Sequence, residues 1–240
     1  MTTEFPVETP PGAGDLRAGY FRLQQRCRDA IHHGEIQSAL GLADEAMALA
    51  LAARDPDLAH RATTTRSMVL LESGQVTAAE KGLREVVLQS ADDEVQCRAA
   101  FYLASSLRRQ RRIGKAQVFA RTAMDKSEIL GDPVWRARCH NLLGNIYLNQ
   151  GAHPEAVREY QRALDLWRSL PGDHRFATAI VLDNLGYCLT LMKRAESGIP
   201  LIRQALTLAI QVADHRTEAE CRQDLAHAHL NRNETDAARG

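Results

Sequence analysis

Arginine and asparagine side chains recur at regular intervals along this 240-residue chain. Three arginines are spaced 37 and 40 residues apart, at Arg61, Arg98 and Arg138. A guanidinium group donates bidentate, charge-assisted hydrogen bonds, which suit a carboxylate. A second set offers amide groups, at Asn141, Asn145 and Asn184. Because an amide both donates and accepts hydrogen bonds, it can satisfy a peptide main chain. These residue types indicate binding chemistry.

Motifs typical of catalysis are absent from the sequence. The chain has no G-x-x-x-x-G-K-[ST], G-x-G-x-x-G, G-x-S-x-G or H-E-x-x-H. Its cysteines never form C-x-x-C, and we expect them to be small core residues: Cys27, Cys97, Cys139, Cys188 and Cys221. The histidine pairs His32-His33 and His227-His229 would point in different directions on a helix. We therefore expect no enzyme activity, no metal site and no cofactor.

A basic patch forms the most concentrated charge, at Arg108, Arg109, Arg111 and Arg112. The surrounding segment 95–138 holds ten basic and three acidic residues, a net charge of +7. The patch is predicted at the C-terminal end of a helix, where cations complement the helix dipole. It is either a solvated turn or a docking patch for an acidic segment. RNA binding is a third interpretation, but few aromatic residues interleave with the run.

The overall composition favours a helical protein. The 30 basic and 30 acidic residues cancel, so no whole-molecule attraction to nucleic acid or membrane is expected. Aromatic residues make up only 5% of the chain, and Leu and Ala carry most of the apolar content. No uncharged apolar run approaches the roughly 18 residues of a membrane span. The N-terminus lacks the features of a signal peptide, so we expect a cytoplasmic protein.

Small residues recur about every 40 residues and divide the chain into repeats. They lie at Cys27, Ser67, Ala104, Gly144, Gly186 and Ala226. In the clearest repeat, Gly144 is followed by Ala156, Tyr160 and Ala163. This spacing predicts two antiparallel helices in close contact, with Gly151 in the turn between them.

The pattern from Gly144 to Ala163 resembles the tetratricopeptide repeat family, in the long-period form of bacterial signalling proteins and kinesin light chains. The resemblance implies an all-α, right-handed α-solenoid over 15–240, with five full repeats and a partial sixth. Residues 1–14, rich in Pro and Gly, are predicted to be a disordered tail.

The same resemblance assigns roles to the polar residues. First helices line the concave groove in this family, which implies partner-binding roles for Arg61, Arg98, Arg138, Asn141, Asn145 and Asn184. Asn145 and Asn184 occupy positions similar to those of asparagines that bind a ligand backbone. The family's chaperone-tail clamp needs a lysine where Asn141 stands, and basic residues where Glu220 and Asp224 stand. We therefore do not expect binding to a chaperone C-terminus.

The function predicted from the sequence is a protein- or peptide-binding scaffold, the interaction or sensory module of a bacterial regulatory protein. Its partner is expected to be acidic or to bear a carboxylate. The alternative is an autoregulatory domain that sequesters a downstream catalytic or DNA-binding domain.

The C-terminal repeat is predicted to be short, with a first helix over 217–231 and a second over 234–240. Its apolar face is then uncovered, which predicts fraying, a homodimer through this end, or cover by a downstream segment.

Overall fold

The computed structural model describes the backbone of residues 13–239, and the side chains of 14–31 and 33–230. This part of the chain consists of eleven α-helices and contains no strand. The helices are α1 (Ala13–His32), α2 (Ile36–Ala52), α3 (Pro56–Glu72), α4 (Val76–Gln89), α5 (Asp93–Arg109), α6 (Ile113–Ile129), α7 (Pro133–Asn149), α8 (His153–Ser169), α9 (Arg175–Leu191), α10 (Ala195–Gln211) and α11 (His215–Arg239). The predicted all-α class is confirmed.

The helices group into two compact units, and the boundary along the chain falls between Tyr102 and Leu103. The first unit holds α1–α4 and the beginning of α5, and the second holds the end of α5 and α6–α11. Within each unit, helices that follow one another along the chain pack together as hairpins, as α1 with α2 and α9 with α10. The predicted helix–turn–helix repeat is thereby confirmed.

Asp-Pro pairs begin two of the first helices. The Asp55 carboxylate accepts hydrogen bonds from the backbone N–H groups of Asp57 and Leu58, at 3.0 and 3.2 Å. Pro56 takes the first helical position, where no N–H is needed. Asp132 and Pro133 start α7 in the same way. These caps satisfy backbone groups that a helix start leaves open and fix where each repeat begins.

Glycines at the hairpin contacts leave room for the neighbouring helix. A Cβ added to Gly144 would lie 2.5 Å from Cε1 of Tyr160. A Cβ on Gly186 would lie 2.8 Å from the backbone oxygen of Gly198, so α9 and α10 touch backbone to backbone. Gly151 has a φ of +73° in the α7–α8 turn, as its predicted role requires. The close contacts between helices that the spacing of small residues predicted at Gly144 and Gly186 are therefore present in the structure.

The five cysteines lie in the core, as predicted. All five side chains are buried, and none of them forms a disulfide. The Cys27 Sγ donates to the backbone oxygen of Ala39 at 3.3 Å, and Cys188 donates to that of His153 at 3.6 Å. Each of these two bonds ties the first helix of a hairpin to a second helix.

Near the two ends of the chain, the structure differs from the prediction. Helix α11 runs unbroken from His215 to Arg239, so the predicted second helix starting at position 234 is wrong, and the first helix simply continues. Ala219, Ala226 and Leu230 are exposed on α11. Dimerisation through this end stays a prediction. Residues 1–12 of the predicted tail lie outside the described residues, whereas positions 13 and 14 already belong to α1.

No helix in the described part of the chain is both long enough and apolar enough to cross a membrane.

Candidate functional site

A groove of about 490 Å³ opens in the second unit, along helices that begin successive repeats. The end of α5, α7, α9 and α11 all contribute side chains to it. Its lining consists of Arg108, Asn145, Leu148, Phe176, Ile180, Asp183, Asn184, Tyr187, Asp214, Arg216, Thr217, Glu220, Gln223 and Asp224. Two of the predicted amides, Asn145 and Asn184, therefore lie together in one cleft with one arginine of the basic patch, Arg108.

Helix α9 supplies the floor of the groove through one continuous face. Ile180, Asp183, Asn184 and Tyr187 follow each other at spacings of three, one and three residues. Residues three, four and seven apart lie on the same side of a helix. The other side of α9 packs against α10 through Gly186, which fixes the direction in which this face points.

Asn145 is oriented by a buried tyrosine. The Tyr160 hydroxyl donates to Oδ1 of Asn145 at 2.8 Å. Tyr160 is fully buried, and this burial raises its pKa well above the ordinary value, so the phenol stays protonated and donates. Since Oδ1 of Asn145 is engaged, its Nδ2 is the atom left to donate toward the groove.

Asn184 is oriented by the amide of the preceding repeat. Its Nδ2 donates to Oδ1 of Asn141 at 3.0 Å. Asn141 does not line the groove but holds Asn184 in place. Oδ1 of Asn184 is thus the atom left to accept. Asn145 thus retains its Nδ2 as a donor, and Asn184 retains its Oδ1 as an acceptor.

Arg108 belongs to the groove rather than to an outer patch. Its Nη1 donates to Oδ1 of Asn149 at 3.3 Å, and its buried Nε has no hydrogen-bond partner. Burial lowers the pKa of the guanidinium, and repulsion from Arg109 and Arg111 lowers it further. Arg109 and Arg111 are exposed, and Arg111 adopts a positive φ of 60° in the turn. The predicted patch is therefore divided between the groove and the helix-terminal turn that also contains Arg112.

Arg61 and Arg98 lie in the first unit, where both contact Glu94. Arg61 forms ion pairs with Asp92 and, at 2.9 Å, with Glu94. Arg98 Nη1 lies 3.6 Å from Glu94 Oε1. Burial on its own would raise the pKa of Asp92. Hydrogen bonds from the backbone N–H of Val95 and from Arg61 outweigh this effect and hold the pKa below its usual value. These guanidinium groups are thus already engaged within the unit.

Arg138 lies in the second unit but outside the groove lining. It is exposed, and its guanidinium carbon lies 4.8 Å from the centre of the Trp135 ring. This distance is typical of a cation–π contact.

Two acidic residues of the groove were missed by sequence reasoning, Asp183 and Asp214, while Glu220 and Asp224 were named only as departures from the chaperone-tail clamp. Asp183 is 5% exposed, and burial together with the nearby Asp224 raises its pKa to about 7. Burial also raises the pKa of Asp224 to about 6. The sequence did contain a signal for Asp183. It precedes Gly186 by three residues, just as Asn141 precedes Gly144, so the two residues occupy equivalent positions in successive repeats.

The tetratricopeptide repeat family model matches residues 95–169 and 135–197. Residues 95–197 of this chain therefore match tetratricopeptide repeats. The matched segments include α7, α8 and α9, and hence Asn145, Asn184 and Asp183 of the groove. The resemblance inferred from the small-residue spacing is confirmed. No curated protein sequence matches the chain.

Solved structures of other repeat proteins share the fold at low sequence identity. A Rap protein complexed with competence and sporulation factor is 12% identical, with a TM-score of 0.73, covering 91% of this chain and 66% of its own. The Rap conjugation gene regulator of plasmid pLS20, complexed with the Phr* peptide, is 12% identical, with a TM-score of 0.71, covering 92% and 62%.

The repeats of a kinesin light chain from Podosopora anserina are 13% identical, with a TM-score of 0.61. The match covers 86% of this chain and 100% of that one. This chain therefore spans the whole kinesin light chain structure, but less than two thirds of the two Rap chains.

Proposed function

We propose that this protein is a peptide-binding scaffold whose second unit holds an extended peptide in the groove along α7, α9 and α11. The observation that carries the proposal is the complementary pair of amides: Asn145 keeps Nδ2 as a donor, and Asn184 keeps Oδ1 as an acceptor. One peptide main chain offers a carbonyl and an N–H group, which match this pair.

Preorganisation favours this use of the groove. Both amides are already held by protein hydrogen bonds, through Tyr160 and Asn141, so little side-chain entropy is lost on binding. The half-buried Arg108 adds donors for a ligand carbonyl or carboxylate, and its unpartnered Nε gains a hydrogen bond. A carboxylate-bearing peptide therefore remains part of the proposal.

One structurally similar Rap chain supports a peptide as the ligand class, since it is complexed with the Phr* peptide. The proposed role is that of an interaction or sensory module in a cytoplasmic regulatory protein, with no catalysis of its own.

A defined peptide library tests the proposal. Acetylated and amidated hexapeptides labelled with fluorescein would be screened by fluorescence polarisation against the wild type. Asn145→Ala and Asn184→Ala should each weaken the binding peptides, by about fivefold or more for a lost hydrogen bond. Gln161→Ala, an exposed amide on α8, is the matched control and should leave affinity unchanged. An absence of binding peptides, or binding that ignores both asparagines, would overturn the proposal.

A further inference from the structure

The acidic end of the groove has a buried carboxylate without a full set of partners. Asp183 is 5% exposed, and its Oδ1 accepts no hydrogen bond. The Cys221 thiol donates a hydrogen bond to the carboxylate group. A buried oxygen left without a donor costs free energy, so this atom is suited to a donor that arrives with a ligand.

The charges around Asp183 are of the same sign. Asp224 and Glu220 from α11 both act on it, and both raise its pKa. The arginine on that side of the groove, Arg216, donates to Glu220 at 3.2 Å and is itself mainly exposed. Asp183 and Asp224 therefore lie close enough to repel each other.

Apolar side chains of the groove border this acidic end. Ile180 and Tyr187 lie one helical turn before and after Asp183 on α9, and Phe176 is 54% exposed at the groove. Such a surface can cover the aliphatic stem of a lysine or arginine, and an aromatic face attracts its cationic head.

A metal ion does not suit the arrangement. Among the residues whose side chains the structure describes, no group of three or more His, Cys, Asp or Glu residues could hold one. An organic cation needs only two carboxylates and a place for its stem.

We infer that the groove recognises a basic side chain of its ligand, a lysine or arginine whose cationic head lies between Asp183 and Asp224 and whose stem lies against Ile180 and Tyr187. The inference rests on the proposed function and names its specificity. Arg108 and the amides bind the main chain or a carboxylate, and the carboxylates on α9 and α11 select a cation. The partner is then a peptide of mixed charge.

The cation site can be tested without any peptide. Protein labelled with ¹³C at the aspartate carboxyl carbons would be titrated with n-butylammonium and n-butylguanidinium, with n-butanol as the neutral control. The two cations should shift the Asp183 and Asp224 resonances and lower the pKa of both groups, because a bound cation favours the carboxylate form. Asp165, exposed on α8, serves as the internal control. Equal response to butanol, or no response at Asp183 and Asp224, would overturn the inference.

A second experiment separates the inference from the proposed function. In each peptide found by the library screen, arginine would be replaced by citrulline and lysine by norleucine. The loss of charge should weaken binding to the wild type by about tenfold or more, and should matter little to Asp183→Asn or Asp224→Asn. Asp165→Asn should behave as the wild type does.

The outcomes are distinct. Peptides that depend on Asn145 and Asn184 but tolerate the loss of their basic residue would refute the cation site and leave the scaffold proposal standing. Butylammonium binding at Asp183 without any peptide ligand would refute the scaffold proposal and support the cation site.

Discussion

The amide Nδ2 of Asn184 lies 3.0 Å from Oδ1 of Asn141, 43 residues earlier in the chain. This bond joins the first helices of two successive repeats, α7 and α9, on the side where the groove opens. Asn141 thereby acts on the groove without lining it. The bond fixes which end of the Asn184 amide remains for a ligand, so we regard Asn141 as a positioning residue.

Asn141→Ala should weaken peptide binding through Asn184. The released amide can rotate, so its acceptor is no longer held toward the groove, and we expect an affinity loss of roughly fivefold, equivalent to about 1 kcal/mol. Fluorescence polarisation with a peptide from the library screen measures it. Asn184→Ala combined with Asn141→Ala should be no worse than Asn184→Ala alone. Additive losses would show that Asn141 acts independently of Asn184.

Tyr160→Phe should lower stability and also weaken binding. The substitution removes the hydroxyl that donates to Asn145 at 2.8 Å, and we expect a loss of about 1 kcal/mol in the free energy of unfolding. Urea unfolding followed by circular dichroism gives this value. Tyr147→Phe is the matched control, since Tyr147 is a partly buried tyrosine of the same hairpin. Equal losses for both variants would remove the special role of the Tyr160 hydroxyl.

Gly186→Ala should destabilise the protein, whereas Gly41→Ala should not. The new Cβ at position 186 would lie 2.6 Å from Cγ1 of Ile202 and 2.8 Å from the backbone of Gly198, and overpacking of this kind costs about 1–3 kcal/mol. Gly41 lies within α2 with no atom near an added Cβ, so alanine there should add up to about 1 kcal/mol through helix propensity. Melting temperatures of the two variants should move in opposite directions. A harmless Gly186→Ala would contradict the close α9–α10 contact.

The repeat architecture could be predicted from the sequence because it depends on local spacing. Gly144, Ala156 and Tyr160 are close in the chain, and the contact they make is within one hairpin. Turn residues such as Asp132 and Pro133 act over two or three residues. Such signals are complete within a short stretch of sequence, so they need no knowledge of the neighbouring repeats.

The distribution of charge in the groove could not be predicted in the same way. Arg108 belongs to a run of arginines that look alike in the sequence. In the structure, Arg108 donates a hydrogen bond to Asn149, whereas Arg109 is exposed, and the position at which α5 ends decides this difference. Arg61 is engaged by Asp92 and Glu94, more than thirty residues away. Contacts between repeats of this kind depend on tertiary packing, which residue spacing alone does not reveal.

Asp183→Asn should stabilise the protein at neutral and alkaline pH while it removes cation recognition. In the folded protein the pKa of Asp183 is raised from 3.8 to about 7 by burial and by Asp224, so the fold favours the protonated acid. A group with a raised folded pKa contributes its stability fully below about pH 4 and loses it as the pH rises through about 7. The wild type should therefore lose stability over this range, whereas asparagine does not titrate.

The size of the effect follows from the shift. About three pKa units correspond to at most about 4 kcal/mol, which Asp183 shares with Asp224 because the two carboxylates titrate together. Urea unfolding at pH 4 and pH 8 measures it for wild type and variant. The two proteins should be similarly stable at pH 4, and Asp183→Asn the more stable at pH 8. Asp165→Asn, exposed on α8, should follow the wild type at both values.

Other titratable groups on α9 and α11 lie near Asp183 and Asp224. Glu220, Cys221 and Tyr187 also surround the carboxylate pair, and His227 lowers the pKa of Asp224. These groups are the same in wild type and in Asp183→Asn, so the difference between the two stability curves reports Asp183 and its coupling to Asp224. If the stability curves of wild type and Asp183→Asn run parallel from pH 4 to pH 8, Asp183 ionises in the folded protein without a loss of stability. A bound cation would then not be needed to stabilise its carboxylate. The opposite result is that Asp183→Asn is more stable than the wild type and binds arginine and citrulline peptides equally well. This result would show that Asp183 lowers the stability of the protein but is required for recognition of the cation.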